Sequence, residues 1–158
     1  MGVFSENAII GASAAGDYDI EQSLRFEDGG PAYLSRTPSS AGNRKTWTWS
    51  SWVKLASSSS HQNIFCFGAA NTDQVTLAIN SNKQLSYSVI VSNTTTVEYV
   101  TEQQFRDPIS WYHIMVTGDT TPGSPLFKVY INGVQATSFA TSTNSAAQNL
   151  DTEANNTV

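Results

Sequence analysis

Between residues 46 and 139 the chain alternates apolar and polar side chains in short runs, each cut off by turn residues. A period of two is the signature of a strand with one buried face, and it cannot be satisfied by a helix. The strongest run is Thr46-Trp47-Thr48-Trp49-Ser50-Ser51-Trp52-Val53-Lys54, rich in β-branched and aromatic residues. Its spacing puts Trp47, Trp49, Ser51 and Val53 on one face and Trp52 on the other. Val75 to Ile79 alternates, Asn80 to Lys83 turns the chain, and Leu85, Tyr87, Val89 and Val91 return it as a hairpin. Asn93-Thr94 then leads into a strand at Val97 to Val100. Trp111 to Thr117 forms another, ended by Pro122-Gly123-Ser124-Pro125. Phe127, Val129 and Ile131 alternate up to Asn132-Gly133, whose two residues both accept positive φ, and Val134 to Phe139 is expected to pair back.

Weaker signals complete the pattern. Ser23 to Phe26 and Ala32 to Arg36 read as strands around the turn Asp28-Gly29-Gly30-Pro31. Ser57 to Ser60 is a loop. Ile64-Phe65-Cys66-Phe67 is wholly apolar, so Cys66 is expected in the core. After residue 140 the chain is polar. About ten short strands and no helix define an all-β antiparallel sandwich.

Composition narrows the function classes. Charged residues are only 13% of the 158, and the net charge is −5. The polar surface must come from Ser, Thr, Asn and Gln. Eight Lys and Arg residues, with no cluster denser than Arg44-Lys45, cannot neutralise a phosphate backbone, which argues against nucleic acid. No run approaches the roughly 18 apolar residues of a membrane span. The N-terminus carries Glu6 in place of a basic region, and Ala8-Ile9-Ile10 is too short for a signal peptide. Synthesis in a cytoplasm without membrane insertion is the expectation. Residues 1–22 are rich in small side chains, with Val3, Phe4, Ile9 and Ile10 as anchors. They read as an arm for docking or assembly, ahead of a sandwich at 23–158.

Catalytic chemistry is hard to build from this chain. Glycoside hydrolysis needs two carboxylates about 5–10 Å apart. Asp17 and Asp19 lie in the arm, and Glu98 and Glu102 are separated by a strand end. His113 reads as a core or rim residue held by a hydrogen bond, and the other histidine, His61, sits beside the serine loop; neither zinc nor a Cys66 nucleophile finds partners. No catalytic residue, no metal ligand and no cofactor is expected. Calcium would fall to Asp28, Asp73, Asp107 or Asp119, each of which reads as a turn residue. The candidates for contact with a neutral glycan are Trp52 as the outward tryptophan, Tyr33, Tyr87 and Tyr99 as further platforms, and loop amides such as Asn71 and Asn93.

Two blocks carry a family likeness. Trp111-Tyr112-His113-Ile114, followed by Lys128-Val129-Tyr130-Ile131-Asn132-Gly133-Val134, resembles the central hairpin of laminin-G-like and pentraxin-like jelly rolls of the concanavalin A type. Leu24 to Lys54, including Tyr33-Leu34-Ser35-Arg36-Thr37-Pro38, is similar to stretches in virion proteins of tailed phages that carry such modules. The likeness covers residues 23–150. It implies a virion structural protein, in a tail fibre, elsewhere on the tail or as a head (capsid) decoration. The arm would then hold other virion proteins, the chain would form a homo-oligomer, and the sandwich would face host glycans. It also implies closing strands beyond the position of Val158, and Ca²⁺ as the ion such modules often hold. The alternatives are a free bacterial carbohydrate-binding or Ca²⁺-dependent adhesion module and, last, a glucanase.

Overall fold

The computed structural model describes residues 23–26, 32–55, 61–68 and 72–157. The chain divides into two units, 1–35 and 36–158. Within the first, residues 23–26 and 32–35 carry no strand, and Leu24, Phe26, Tyr33 and Leu34 are exposed. Alternation in this stretch therefore does not become a strand, because a strand also needs a ladder of hydrogen bonds to a neighbour. The arm at 1–22, the turn at 28–31, the serine run at 57–60 and Asn71 lie outside the described residues.

The second unit is built from β1 (Thr46–Lys54), β2 (Gln62–Gly68), β3 (Gln74–Ile79), β4 (Gln84–Val91), β5 (Thr94–Gln104), β6 (Trp111–Asp119), β7 (Leu126–Ile131), β8 (Val134–Gln135) and β9 (Phe139–Asn144). They form a four-stranded sheet in the order β1-β6-β7-β8 and a five-stranded sheet in the order β2-β3-β4-β5-β9. All pairings are antiparallel. No helix occurs among the described residues. This is the sandwich that the alternation predicts.

Local chemistry sets the turns. Asn132 and Gly133 both have positive φ, 50° and 80°, and join β7 to β8. Ser92 and Asn93 do the same between β4 and β5, at 49° and 61°. Two central residues with φ above zero match the right-handed twist of the flanking strands.

The inner faces of the two sheets press together across an aromatic centre. Tyr87, fully buried on β4, lies 6.4 Å from Trp47 of β1 and 6.0 Å from Phe127 of β7, ring centroid to centroid. Trp49 meets Phe65 at 4.8 Å. Leu77, Val89, Val97, Ile114, Val116 and Val129 fill the space around them.

Three expectations are corrected. Val134 to Phe139 does not pair back as one strand. The chain leaves the four-stranded sheet after Gln135 and joins the five-stranded sheet as β9, where Tyr99 pairs with Ser142. The polar stretch after residue 140 is therefore partly a strand, because Thr and Ser serve well on an edge with one half-exposed face. Cys66 is exposed rather than buried. A bulge between Asn63 and Phe65 sets the register of β2, so Phe65 and Phe67 pair with Leu77 and Val75 on the core side while Cys66 pairs with Thr76 on the outer side.

After β9 the chain closes one end of the sandwich. Arg44 donates from Nε to the Thr152 carbonyl at 2.7 Å and from Nη2 to Glu153 Oε1 at 2.7 Å. Thr152 returns a hydroxyl to the Arg44 carbonyl, and Thr120 donates to the Leu150 carbonyl, both at 2.7 Å. Buried Ala154 sits beneath this clamp as part of the core.

Two substitutions test the packing in opposite directions. Gly118 faces Trp47 across the β1–β6 ladder, and a Cβ there would come within 2.7 Å of the indole ring. Gly118→Ala is expected to destabilise by about 1–3 kcal/mol through overpacking. The Tyr87 hydroxyl is buried with no hydrogen-bond partner. Tyr87→Phe removes an unsatisfied polar group at nearly constant shape, so stability should hold or rise by about 1 kcal/mol. Urea unfolding of the two variants reads both signs.

Candidate functional site

Strand alternation sends half of each sheet's side chains outward, and the two outer faces differ in kind. On the five-stranded sheet one row across the strands is Cys66, Thr76, Ser88, Glu98 and Thr143, small and mostly hydroxylated. The Thr76 and Ser88 hydroxyls bond each other at 2.6 Å. The four-stranded sheet instead turns aromatic side chains outward. Trp52 is 53% and Trp111 47% exposed, a large area of indole left in water.

The ladder explains how these rings are held. Trp52 pairs with His113, and Lys54 pairs with Trp111. The two indoles are diagonal neighbours, about 7–8 Å apart at the backbone. The Trp52 and His113 rings lie 5.2 Å apart, tilted by 45°. His113 is fixed from two further sides. Its Nε2 lies 2.8 Å from Ser50 Oγ. Its backbone N–H donates to Asn132 Oδ1 at 2.9 Å, while Asn132 N–H donates to the His113 carbonyl at 2.8 Å. The hairpin tip thus locks the strand that carries the ring. The result is an outward ledge with two exposed indoles, an imidazole and a lysine at one end. A ledge of this kind can stack on a flat apolar surface and offer hydrogen bonds at its rim, as ligand sites with few convergent polar groups do.

The sequence candidates are distributed unevenly over the molecule. Trp52 belongs to the ledge, as its position opposite Trp49 on the strand implies. Tyr33 is exposed, in the first unit. Asn93 is exposed at the β4–β5 turn, with its N–H donating to the Thr72 carbonyl at 3.0 Å. Tyr87 and Tyr99 are corrected: both lie on the inner face of the five-stranded sheet. Tyr87 has no exposed surface, and burial, with Tyr99 as the lesser cause, pushes its phenol well above the usual tyrosine value. Tyr99 packs against Phe139 at 5.0 Å and against Tyr87 at 6.4 Å. The Tyr87 ring is closed to a ligand and Tyr99 is partly buried, because even spacing from Leu85 and from Val97 sends them inward. Trp111 is the residue that sequence reading left out of the candidates. Its alternation with His113 and Met115 carried the signal, since the alternate positions Ile114 and Val116 are the inward pair.

The carboxylates serve turns, Asp107 and Asp119 their own and Asp73 the one between β4 and β5. Asp73 accepts from Ser92 N–H at 2.7 Å. Asp107 accepts from Ile109 N–H at 2.9 Å and from the Ser110 hydroxyl. Asp119 accepts from the Thr121 N–H and hydroxyl at 2.9 and 2.7 Å. These bonds favour the charged form and hold Asp107 and Asp119 below the ordinary aspartate value, the Ser110 and Thr121 hydroxyls contributing most. Among the described residues no three His, Cys, Asp or Glu side chains converge on one point. Glu98 and Glu102 lie four residues apart along β5, about 13 Å at strand rise, wider than a glycosidase pair. The Ser138 hydroxyl also donates to Glu102 at 2.5 Å.

Two antiparallel sheets, a shared aromatic core and an outward ledge define a lectin-type β-sandwich. The chain belongs to the laminin-G-type family described as the concanavalin A-like lectin/glucanases superfamily, whose model matches residues 28–156. No curated protein and no solved structure matches it. The likeness read from the Trp111–Val134 hairpin is thus correct at the level of the family.

The outward placement of Cys66 has a direct consequence. A maleimide should label the folded protein to completion without denaturant, slowed because partial burial raises the thiol's pKa. Cys66→Ser should leave stability within about 0.5 kcal/mol of the parent, as surface changes do.

Proposed function

We propose that this chain is a carbohydrate-binding adhesion module, a binder and not an enzyme, which engages saccharides on the outer ledge of its four-stranded sheet. The observation that carries the reading is the exposure of Trp52 and Trp111 on one rigid face, diagonal to each other across β1 and β6. The C–H face of a pyranose is flat and apolar, so it stacks on an indole. Two indoles on backbone positions about 7–8 Å apart offer successive sugar rings a platform. The lectin-type family supports the same reading. The wide spacing of Glu98 and Glu102 supports binding over hydrolysis.

We further place the module on a tailed-phage particle, held by the arm at 1–22 and repeated there as a homo-oligomer. This rests on the likeness of Leu24 to Lys54 to phage virion proteins and on the small-residue arm. The ledge would then meet glycans of the host surface. Mass spectrometry of purified particles tests that placement: stoichiometric presence of the chain supports it, and its absence from intact particles removes it.

Binding itself is tested on a glycan array followed by calorimetry. Trp52→Ala and Trp111→Ala should each weaken the best saccharide tenfold or more, about 1.4 kcal/mol. Tyr99→Phe, which alters only an inward ring, should leave affinity unchanged. Retention of full affinity by both tryptophan variants overturns the ledge as the site.

A further inference from the structure

We infer that His113 makes the ledge a pH-sensitive binder, which holds a saccharide while its imidazole is neutral and releases it when the ring is protonated; this rests on the ledge being the saccharide site. Histidine is the side chain whose charge ordinarily changes between about pH 5 and 8. The chain has two, His61 and His113, and only His113 stands on the ledge. Trp52 is its ladder partner, and the two rings lie 5.2 Å apart at a tilt of 45°. A saccharide stacked on that indole borders the imidazole and takes water from it.

A charged ring finds no counter-charge at this place. Its Nε2 lies 2.8 Å from Ser50 Oγ, a neutral partner. On the β7 side its backbone is held by Asn132, also neutral. Lys54 is diagonal to His113 across β1 and β6, about 7–8 Å away at the backbone, and carries the same sign. Lys128 lies opposite Thr117, four residues along β6, about 13 Å at strand rise. Tyr130, opposite Met115, brings a phenol and no carboxylate. The acids are engaged elsewhere. Asp119 is six residues along β6, about 20 Å at strand rise. Asp107, in the loop before β6, accepts from the Ile109 N–H and the Ser110 hydroxyl and acts on Lys54. Among the described residues His113 makes no ion pair.

Without a ligand the imidazolium is tolerated. Water hydrates it, and a cation within about 6 Å of an indole centroid is attracted to the ring face. Stacking reverses that balance. The saccharide strips water from the imidazolium and supplies only hydroxyls, and burying an unpaired charge disfavours the charged form. The sugar also competes with the cation for the same indole face. The neutral ring meets neither penalty. Proton and saccharide therefore oppose each other, each lowering the other's affinity by one shared factor. Binding is full above the histidine range and weakens as the pH falls through it.

The test is calorimetry of the intact chain with neutral hexasaccharides of glucose, mannose and galactose at about pH 8 and about pH 5, which bracket the histidine range. Expected is roughly tenfold weaker binding of the best of them in acid. His113→Gln should flatten that profile, and His61→Gln should preserve it. The ligand-free chain gives a second reading. Its tryptophan emission should fall on acidification, because an imidazolium in contact with an indole quenches it, and Trp52→Phe or His113→Gln should remove the fall. Equal or tighter binding in acid overturns the inference and leaves the ledge standing, as does a profile that survives His113→Gln. Emission whose pH dependence ignores His113→Gln also overturns it. No binding of these or of any arrayed saccharide at either pH removes the ledge reading and this inference together.

Discussion

Everything in the sandwich depends on Tyr87 being gripped between two sheets. Trp47 and Phe127 approach it from the four-stranded sheet, and Tyr99 stacks on it within its own. Aromatic side chains bury large areas, and at these separations tilted and offset rings attract beyond their area. The cluster fixes how the two sheets register. It also requires Gly118 opposite Trp47, since a side chain there would collide with the indole. The cost is a buried phenol hydroxyl and indole N–H without partners, accepted at the centre of an apolar layer.

Rigidity passes from that core to the outer ledge. Ile114 and Val116 are buried, and they alternate with Trp111, His113 and Met115 on β6. The same strand therefore anchors inward and displays outward. The Asn132 side chain and backbone pin His113 from the hairpin, and Ser50 holds its imidazole. These bonds fix the His113 ring against which Trp52 packs. The opposite face, with its hydroxyl-bearing row and Glu98, has no comparable apolar platform.

The same logic separates side chains that sequence reading treated alike. Trp52, Tyr87 and Tyr99 all began as aromatic candidates. Trp52 was legible because it breaks the Trp47-Trp49-Ser51-Val53 phase on a long strand. Tyr87 and Tyr99 were misplaced, although their spacing from Leu85 and Val97 gave the inward phase. Cys66 was misread for the reverse reason. A wholly apolar run carries no phase of its own, and only the bulge after Asn63 decides which residues face the core.

Sequence alone determined the strands between Thr46 and Ile131, the hairpin turns and the two-sheet class. Those follow from side-chain period and from the φ angles that Asn and Gly accept, both local properties of the chain. Tertiary structure decided the rest: the passage of β9 to the second sheet, the clamp of Arg44 on the segment around Thr152, and the meeting of Trp52 with His113 and of Lys54 with Trp111. Each of these joins residues far apart in the chain, and their pairing depends on register and packing, which no local pattern encodes.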